Sequence, residues 1–550
     1  MMTLDQDLVL TADDVLDAEG DANNPCLIEG QGHSLRTATG WQGQFVLRFC
    51  TLHNLGTPGD PAVAIDASGA ATIVLEGNTF DATGSVQVTA VDDVSVSVLR
   101  NTVLEDSLVN VLMDSADNTI DAMLFAGYAN TKPKVFQGNH IYKSRVRFDN
   151  VQQWLIGGDN PGDGNILIGQ RAGFSLRGND MRVVGNYIRF PGDLNNWNQV
   201  KPLEVNATSV VVEHNVIRDG NWLVDVLGSA EIRYNLLGDS HDRPWLIVEQ
   251  GSGAQKVHHN IFMRNDPSLH TWGAWVLKPQ SGDTVEIYNN TFYGGGNCFH
   301  GGFPAIGVEM GGFIDSLRSN AFVGFTTDIG GATAIVRGGT AEPYEPKQPA
   351  PERLGYADYN LFSNPQAAVR DNYALAVAGK RERMDAGFAL NDATASGAVD
   401  QQVDPAFVAT GMIPVAFPYA DDDVKAGTAT VCQILAFYRQ AFAPKTGSPL
   451  LGAGDPADGA GNSIGAIGGA DDRFGMLCNP ADVGTPNLTA ATFVCPKVQP
   501  TGTGGTTGTP GGKGFVCVCD VAAGPSPAGL VAFLAGVFVL LRWRARLGRR

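Results

Sequence analysis

Short runs in which apolar and polar residues alternate recur along this chain, and each leads into an asparagine with a large apolar residue two positions beyond it. Met181-Arg182-Val183-Val184 precedes Asn186-Tyr187-Ile188, Ser209-Val210-Val211-Val212-Glu213 precedes Asn215-Val216-Ile217, and Thr284-Val285-Glu286-Ile287 precedes Asn290-Thr291-Phe292. Period-two alternation predicts strands with one buried face. The same unit appears at Asn78-Thr79-Phe80, Asn101-Thr102-Val103, Asn139-His140-Ile141, Asn235-Leu236-Leu237, Asn260-Ile261-Phe262, Asn320-Ala321-Phe322 and Asn360-Leu361-Phe362, with spacings clustering at 20 to 30 residues. A repeat of that length is one coil of three short strands and three turns. Insertions such as residues 191–198 account for the longer intervals.

Stacking explains the asparagine. Parallel strands lie about 4.8 Å apart, so equivalent residues of successive coils sit above one another. Asn tolerates the left-handed turn conformation, and its amide can bond the amide of the next coil. The apolar residue two places on points inward. The expected fold class is all-β, a parallel β-solenoid, and each ladder Asn is read as structural.

Composition agrees with this reading. The chain has 550 residues, 68 of them Gly, and only 17% are charged, which suits short strands broken by many turns. The 38 Lys and Arg against 57 Asp and Glu give a net charge of −19, the wrong sign for a general nucleic-acid binder. No Cys and His cluster has the close spacing of a structural zinc site. Cys26 and Cys50, 24 residues apart, fall about one coil apart and either stack or stay as buried thiols. Cys478 and Cys495 could close a short loop in an oxidising compartment.

The two ends read differently. Residues 1–20 carry six acidic side chains and no basic or continuous apolar region, so they do not form a secretory signal peptide. Near the other end, residues 496–516 are a Gly/Thr/Pro linker, and a Cys-containing extension spans 476–495. Residues 517–550 hold Cys517-Val518-Cys519, the apolar run 528–541 and a terminus with Arg542, Arg544, Arg546, Arg549 and Arg550. Fourteen helical residues reach about 21 Å, so the run spans a membrane only with help from 521–528. The arginines would remain cytoplasmic and place the rest outside.

The Asn ladder resembles the right-handed parallel β-helix repeat of the pectate-lyase-like superfamily, over roughly residues 20–475. The segment Cys26-Leu27-Ile28-Glu29-Gly30-Gln31-Gly32-His33-Ser34-Leu35 resembles the first coil of such proteins. Asp404-Pro405-Ala406-Phe407, Ser448-Pro449-Leu450-Leu451-Gly452-Ala453-Gly454 and Ile464-Gly465-Ala466 resemble their far end, with Gly452 in place of the usual Asp. The resemblance implies a body over 1–475 with caps at both ends. The last 35 residues or so resemble the MYXO-CTERM sorting signal of myxobacterial surface proteins. That likeness implies processing at Cys517 or Cys519 by a sorting protease, an envelope membrane as partner and a cell-surface location.

The superfamily resemblance also implies polysaccharide as partner, and related enzymes cleave uronate polymers by β-elimination. That reaction needs a base, a group neutralising the carboxylate and a proton donor. The stretch 201–278 is richest in suitable side chains. Counting four positions from each Asn puts Asp219, Asp239 and Arg264 in one column. Asp219, Asp239 and Asp242 are candidate calcium ligands through hard oxygens. Lys201, Arg218, Arg243 and Arg264 are the candidate catalytic bases and charge neutralisers, while Trp222, Trp245, Trp272 and His241 are candidate sugar contacts. The signature set of polygalacturonases is absent, and residues 159–165 form a turn that only superficially resembles a calcium loop. Two functions are therefore expected from the sequence: a surface polysaccharide lyase or hydrolase, or a non-catalytic adhesin or envelope component.

Overall fold

The computed structural model describes residues 1–57, 59–105, 121–127, 130, 132–142, 144–169, 173–190, 201–220, 222–240, 244–248, 253–263, 272–277, 284–294, 305–309, 314–323, 335–337, 354–362, 369–371 and 417–478. These lie in one compact unit, Met1–Lys497. The strands form three parallel sheets of 14, 14 and 13 strands, here sheets A, B and C, and successive strands of the chain visit the sheets in the order A, B, C. This is a parallel β-solenoid. Sheet A begins with Met2–Thr3, which pairs with Cys26–Glu29, so a complete coil precedes the segment read from the sequence as the first one.

Burial alternates as the period-two pattern requires. On sheet B, Val63–Ala67 and Val86–Ala90 alternate buried and half-buried residues; on sheet C, Thr72–Glu76 and Ser95–Leu99 do the same in the opposite phase. Inward columns run in register, as in Phe80, Val103, Ile141, Leu167, Ile188, Ile217 and Leu237. Phe262, Phe292 and Phe322 continue this column as a stack, with ring centroids 4.6 and 5.0 Å apart and planes 6° from parallel.

The Asn ladder is continuous and buried, and it includes Asn165, which the pattern search passed over. Each rung makes the same bonds. Asn215 Oδ1 accepts from the backbone N–H and Nδ2 of Asn186, and Asn215 Nδ2 donates to Val183 O and Asn235 Oδ1. One expectation is corrected: the left-handed residue is the one before the Asn. Arg100, His214, Tyr234, His259, Asn289, Ser319 and Tyr359 have φ between 50° and 56°, and Gly77, Gly138 and Gly185 fill equivalent places. The corner between sheets C and A thus shrinks to two residues, a left-handed one that turns the chain and an Asn that ties the turn to its neighbours.

The ladder starts from a disulfide. Cys26 and Cys50 are bonded and face each other in register, and the Cys50 N–H donates to Asn78 Oδ1 at 3.0 Å. The cystine therefore occupies the rungs before Asn78. Cys478, by contrast, bonds Cys432 and not Cys495.

Residues 417–478 return along the flank of the solenoid. Helix α1 spans Asp421–Lys425 and helix α2 spans Val431–Ala441, the latter opened by a capping box between Thr430 and Gln433. Helix α2 buries Ile434, Leu435, Phe437 and Tyr438. The segment 448–478, read from the sequence as a far-end cap and extension, runs as a strap along sheet A. Asp455 N–H donates to Ser319 Oγ, Asn289 Nδ2 to Ser463 O, Gly465 N–H to Ser319 O and Ala466 N–H to Thr291 Oγ1. Farther along, Asp472 faces His214 and Leu477 lies over Gly185. The strap thus passes backwards over the row of left-handed residues.

Candidate functional site

The predicted column divides. Asp219 and Asp239 fall at equivalent places in paired strands, since Arg218 stands opposite Gly238 and Gly220 opposite Ser240, and both acids have positive φ. Asp219, however, is 4% exposed and is held by Arg189 and by Arg218 at 2.6 Å. Arg189 also pairs with Asp421, the first residue of α1. The Arg218 guanidinium lies 3.7 Å from the Phe417 ring centroid, beneath the returning segment. These residues anchor α1 to the solenoid, and Arg218 does not face an open groove as a catalytic cation would. Two guanidiniums already balance the Asp219 carboxylate, so it does not fit the role of a hard-oxygen calcium ligand. Asp239, also buried, is bonded as well. Arg243, Arg264, His241, Asp242, Cys517, Cys519 and residues 528–541 lie outside the described residues, as do the side chains of Trp245 and Trp272. The turn at 159–163 is a turn: Asp163 accepts from Asn160, and Asp159 takes the Arg182 guanidinium.

Lys201 and Trp222 meet elsewhere, at the outer face of sheet B. Lys201 forms an ion pair with Asp225, and its ammonium lies 4.9 Å from the Trp222 ring centroid. Asp225 stands opposite Glu204, Glu204 opposite Ser175 and Ser175 opposite Arg147, so four polar side chains stack in one column, with Arg147 and Glu204 partly exposed and Ser175 and Asp225 buried. Ser175 Oγ donates to Glu204 Oε2 at 3.3 Å. Two residues along the same strands, Arg177 is paired with Asn206.

The far part of this face is cationic. Arg145 pairs with Asp121, and Arg147 donates to Asp149 at 2.7 Å. Arg177 makes no ion pair among the described residues, and the buried Nε atoms of Arg147 and Arg177 have no hydrogen-bond partner there. Burial pushes the Asp121 carboxyl above its usual range, against the pull of Arg145, Arg147 and Arg177. The face therefore offers guanidiniums for anions, a buried carboxyl paired with one of them, and an aromatic ring beside an ion pair.

Chain connectivity frames this face. Connections from sheet A to sheet B include the long stretches 104–122, 190–202 and 294–305, and those from sheet B to sheet C include 338–353. Both borders of sheet B can thus carry large insertions, while the C-to-A corner is two residues long at every ladder Asn except Asn165, where residues 158–165 intervene. Counting from Asn missed Arg145, Arg147, Arg177 and Glu204, because the variable A-to-B connections break the register between the ladder and sheet B. The available signal was the alternation Arg145-Val146-Arg147-Phe148-Asp149, whose apolar members are buried. No known protein family, curated protein or solved structure matches this chain.

Proposed function

We propose that the protein is an exported solenoid that binds polysaccharide along the outer face of sheet B, in the manner of the pectate-lyase-like proteins it resembles. The observation that carries this reading is the in-register column Arg147, Ser175, Glu204 and Asp225, flanked by Arg145, Arg177, Lys201 and Trp222. Arg147 and Glu204 keep part of their side chains in solvent while Ser175 and Asp225 are buried, so exposed polar groups recur on alternate rungs, about 10 Å apart along a straight track, which suits an extended polymer better than a compact ligand. Arginine forks suit carboxylate or sulfate groups on such a polymer. Two disulfides in the described residues favour an oxidising compartment, in keeping with surface attachment through a MYXO-CTERM-like tail and its sorting protease.

Catalysis by β-elimination is the stronger form of the proposal, with Arg147 and Arg177 neutralising the uronate carboxylate, Glu204 taking the C5 proton and water protonating the leaving oxygen. Absorbance near 235 nm reports the unsaturated uronate product. Protein is incubated with pectate, alginate and glycosaminoglycans, with and without calcium, while retardation in polysaccharide-containing gels reports binding alone. Retardation that is lost in Arg147→Ala/Arg177→Ala and in Trp222→Ala supports the binding face; accompanying absorbance establishes a lyase. Retardation without absorbance leaves a non-catalytic adhesin or envelope protein, and absence of both overturns the polysaccharide reading for these polymers.

A further inference from the structure

The strap covers a row of ionisable rings that the polysaccharide face does not use. His214 is fully buried with Nε2 3.4 Å from Asp472, its ring stacked 5.1 Å from Tyr234. Tyr234 in turn lies 4.9 Å from His259, and His258 stacks on Tyr288 at 4.6 Å. His258 Nε2 donates to Glu231 at 2.9 Å, so in the neutral ring its Nδ1 accepts from His259 Nδ1 at 2.8 Å. That assignment leaves the lone pair of His259 on Nε2, the ring atom next to the strap. A Cβ placed on Gly469 would stand 2.7 Å from this nitrogen and 2.5 Å from the Tyr234 hydroxyl, so the strap backbone closes directly over it.

We propose that the strap is an acid-released clasp: protonation of His259 lifts residues 455–472 from sheet A, while the Cys432–Cys478 bond keeps the strap tethered to α2 for return.

The surroundings of His259 argue against its taking a proton in place. The ring is 8% exposed and, among the described residues, has no carboxylate in hydrogen-bond contact. On its own strand it faces His258; from the neighbouring strands, Arg233, Tyr234 and Tyr288; from α2, Arg439; and from the strap, Asp472. Burial, His258 and the two arginines all disfavour its charge, and only Asp472 favours it. Asp472 is itself committed to Arg439 and His214. Burial therefore holds the imidazole down to about 3. Lifting the strap exposes the ring fully to water and restores an ordinary value near 6.5. The folded pKa is depressed, so closure is fully supported above about 6.5 and is lost progressively as pH falls toward 3.

Three strap amides report closure directly: Asp455 to Ser319 Oγ, Gly465 to Ser319 O and Ala466 to Thr291 Oγ1. Hydrogen exchange at these amides is measured on the full oxidised protein between pH 7 and 5, corrected for intrinsic rates. The opening constant is expected to rise about twentyfold over that interval, while exchange in the Asn ladder stays unchanged. His259→Gln, which cannot charge, is expected to flatten the profile. Gly469→Ala, whose methyl collides with the two rings, opens the strap already at pH 7. A pH-independent wild-type opening, or a profile in His259→Gln that matches wild type, overturns the clasp.

Discussion

Asn215 Oδ1 accepts two hydrogen bonds from Asn186, 2.9 Å from its backbone nitrogen and 2.8 Å from its side-chain nitrogen. One carbonyl oxygen thus satisfies a buried backbone donor and a buried side-chain donor of the preceding coil. Asn215→Ala orphans the Asn186 backbone N–H and takes one bond each from Asn186 Nδ2, the Val183 carbonyl and Asn235 Oδ1, although Asn186 Nδ2 keeps Ile156 O and Asn235 Oδ1 keeps the backbone N–H of residue 215. Buried unsatisfied groups cost about 1 to 3 kcal/mol each before relaxation, so a loss of about 3 kcal/mol or more is expected in denaturant unfolding. Asn23→Ala, at an exposed bend outside the ladder, serves as the control and is expected to lose under about 1 kcal/mol.

Phe292 sits between Phe262 and Phe322, parallel to both. Removing it leaves a void between rings whose backbones are fixed by the sheets, so the coil cannot collapse around the gap. Phe292→Ala is expected to cost about 3 to 5 kcal/mol and Phe292→Leu much less, read as a shift in denaturation midpoint.

The Cys26–Cys50 bond closes a loop with a sequence separation of 24 residues at the start of the ladder. Its removal in Cys26→Ala/Cys50→Ala is expected to cost about 3 kcal/mol by loop entropy. Exchange protection should fall in the coils before Asn101 and remain unchanged beyond Asn215. A uniform fall along the whole solenoid would contradict local anchoring.

Asp472 carries a separate acid dependence. Although burial opposes its charge, His214, the Arg439 guanidinium and the Phe474 N–H together hold the carboxyl down to about 2. A depressed carboxylate stabilises the fold above about pH 4 and loses that contribution as pH falls toward 2. The shift of nearly two units amounts to about 2 kcal/mol. Asp472→Asn is therefore expected to lose about that much at pH 7 and to approach wild-type stability near pH 2, measured by denaturation at each pH.

The ladder was legible because stacking repeats one side chain in one place, and even Asn290 and Asn320, bordered by long insertions, kept the pattern. The left-handed position was harder to see. Its φ is demanded by the corner, yet the occupants include Arg100, Tyr234 and Ser319, residue types with no shared composition. The strap left no periodic trace at all, since Ser319 meets Asp455 through backbone and hydroxyl groups that many sequences supply. Cys478 illustrates the same limit: Cys495 is nearer in sequence, but the fold brings Cys432 to it across the helix. For the candidate site, Lys201 and Trp222 were found and their partners were not, because sheet B loses its phase relative to Asn wherever the A-to-B connection changes length.

The strap also sets an order of events during folding. Neighbouring coils join residues a few dozen positions apart, so they can form one after another as the chain emerges, each rung templating the next. The contact between His214 and Asp472 spans 258 positions and that between Asn289 and Asn462 spans 173. Those contacts pay their loop closure late, when most of the solenoid already exists. Until residue 478 has emerged, Tyr187, Val216, Leu236 and Ile261 line an unprotected apolar strip on sheet A. Slow translation of residues 417–478 would therefore prolong the stage most exposed to aggregation.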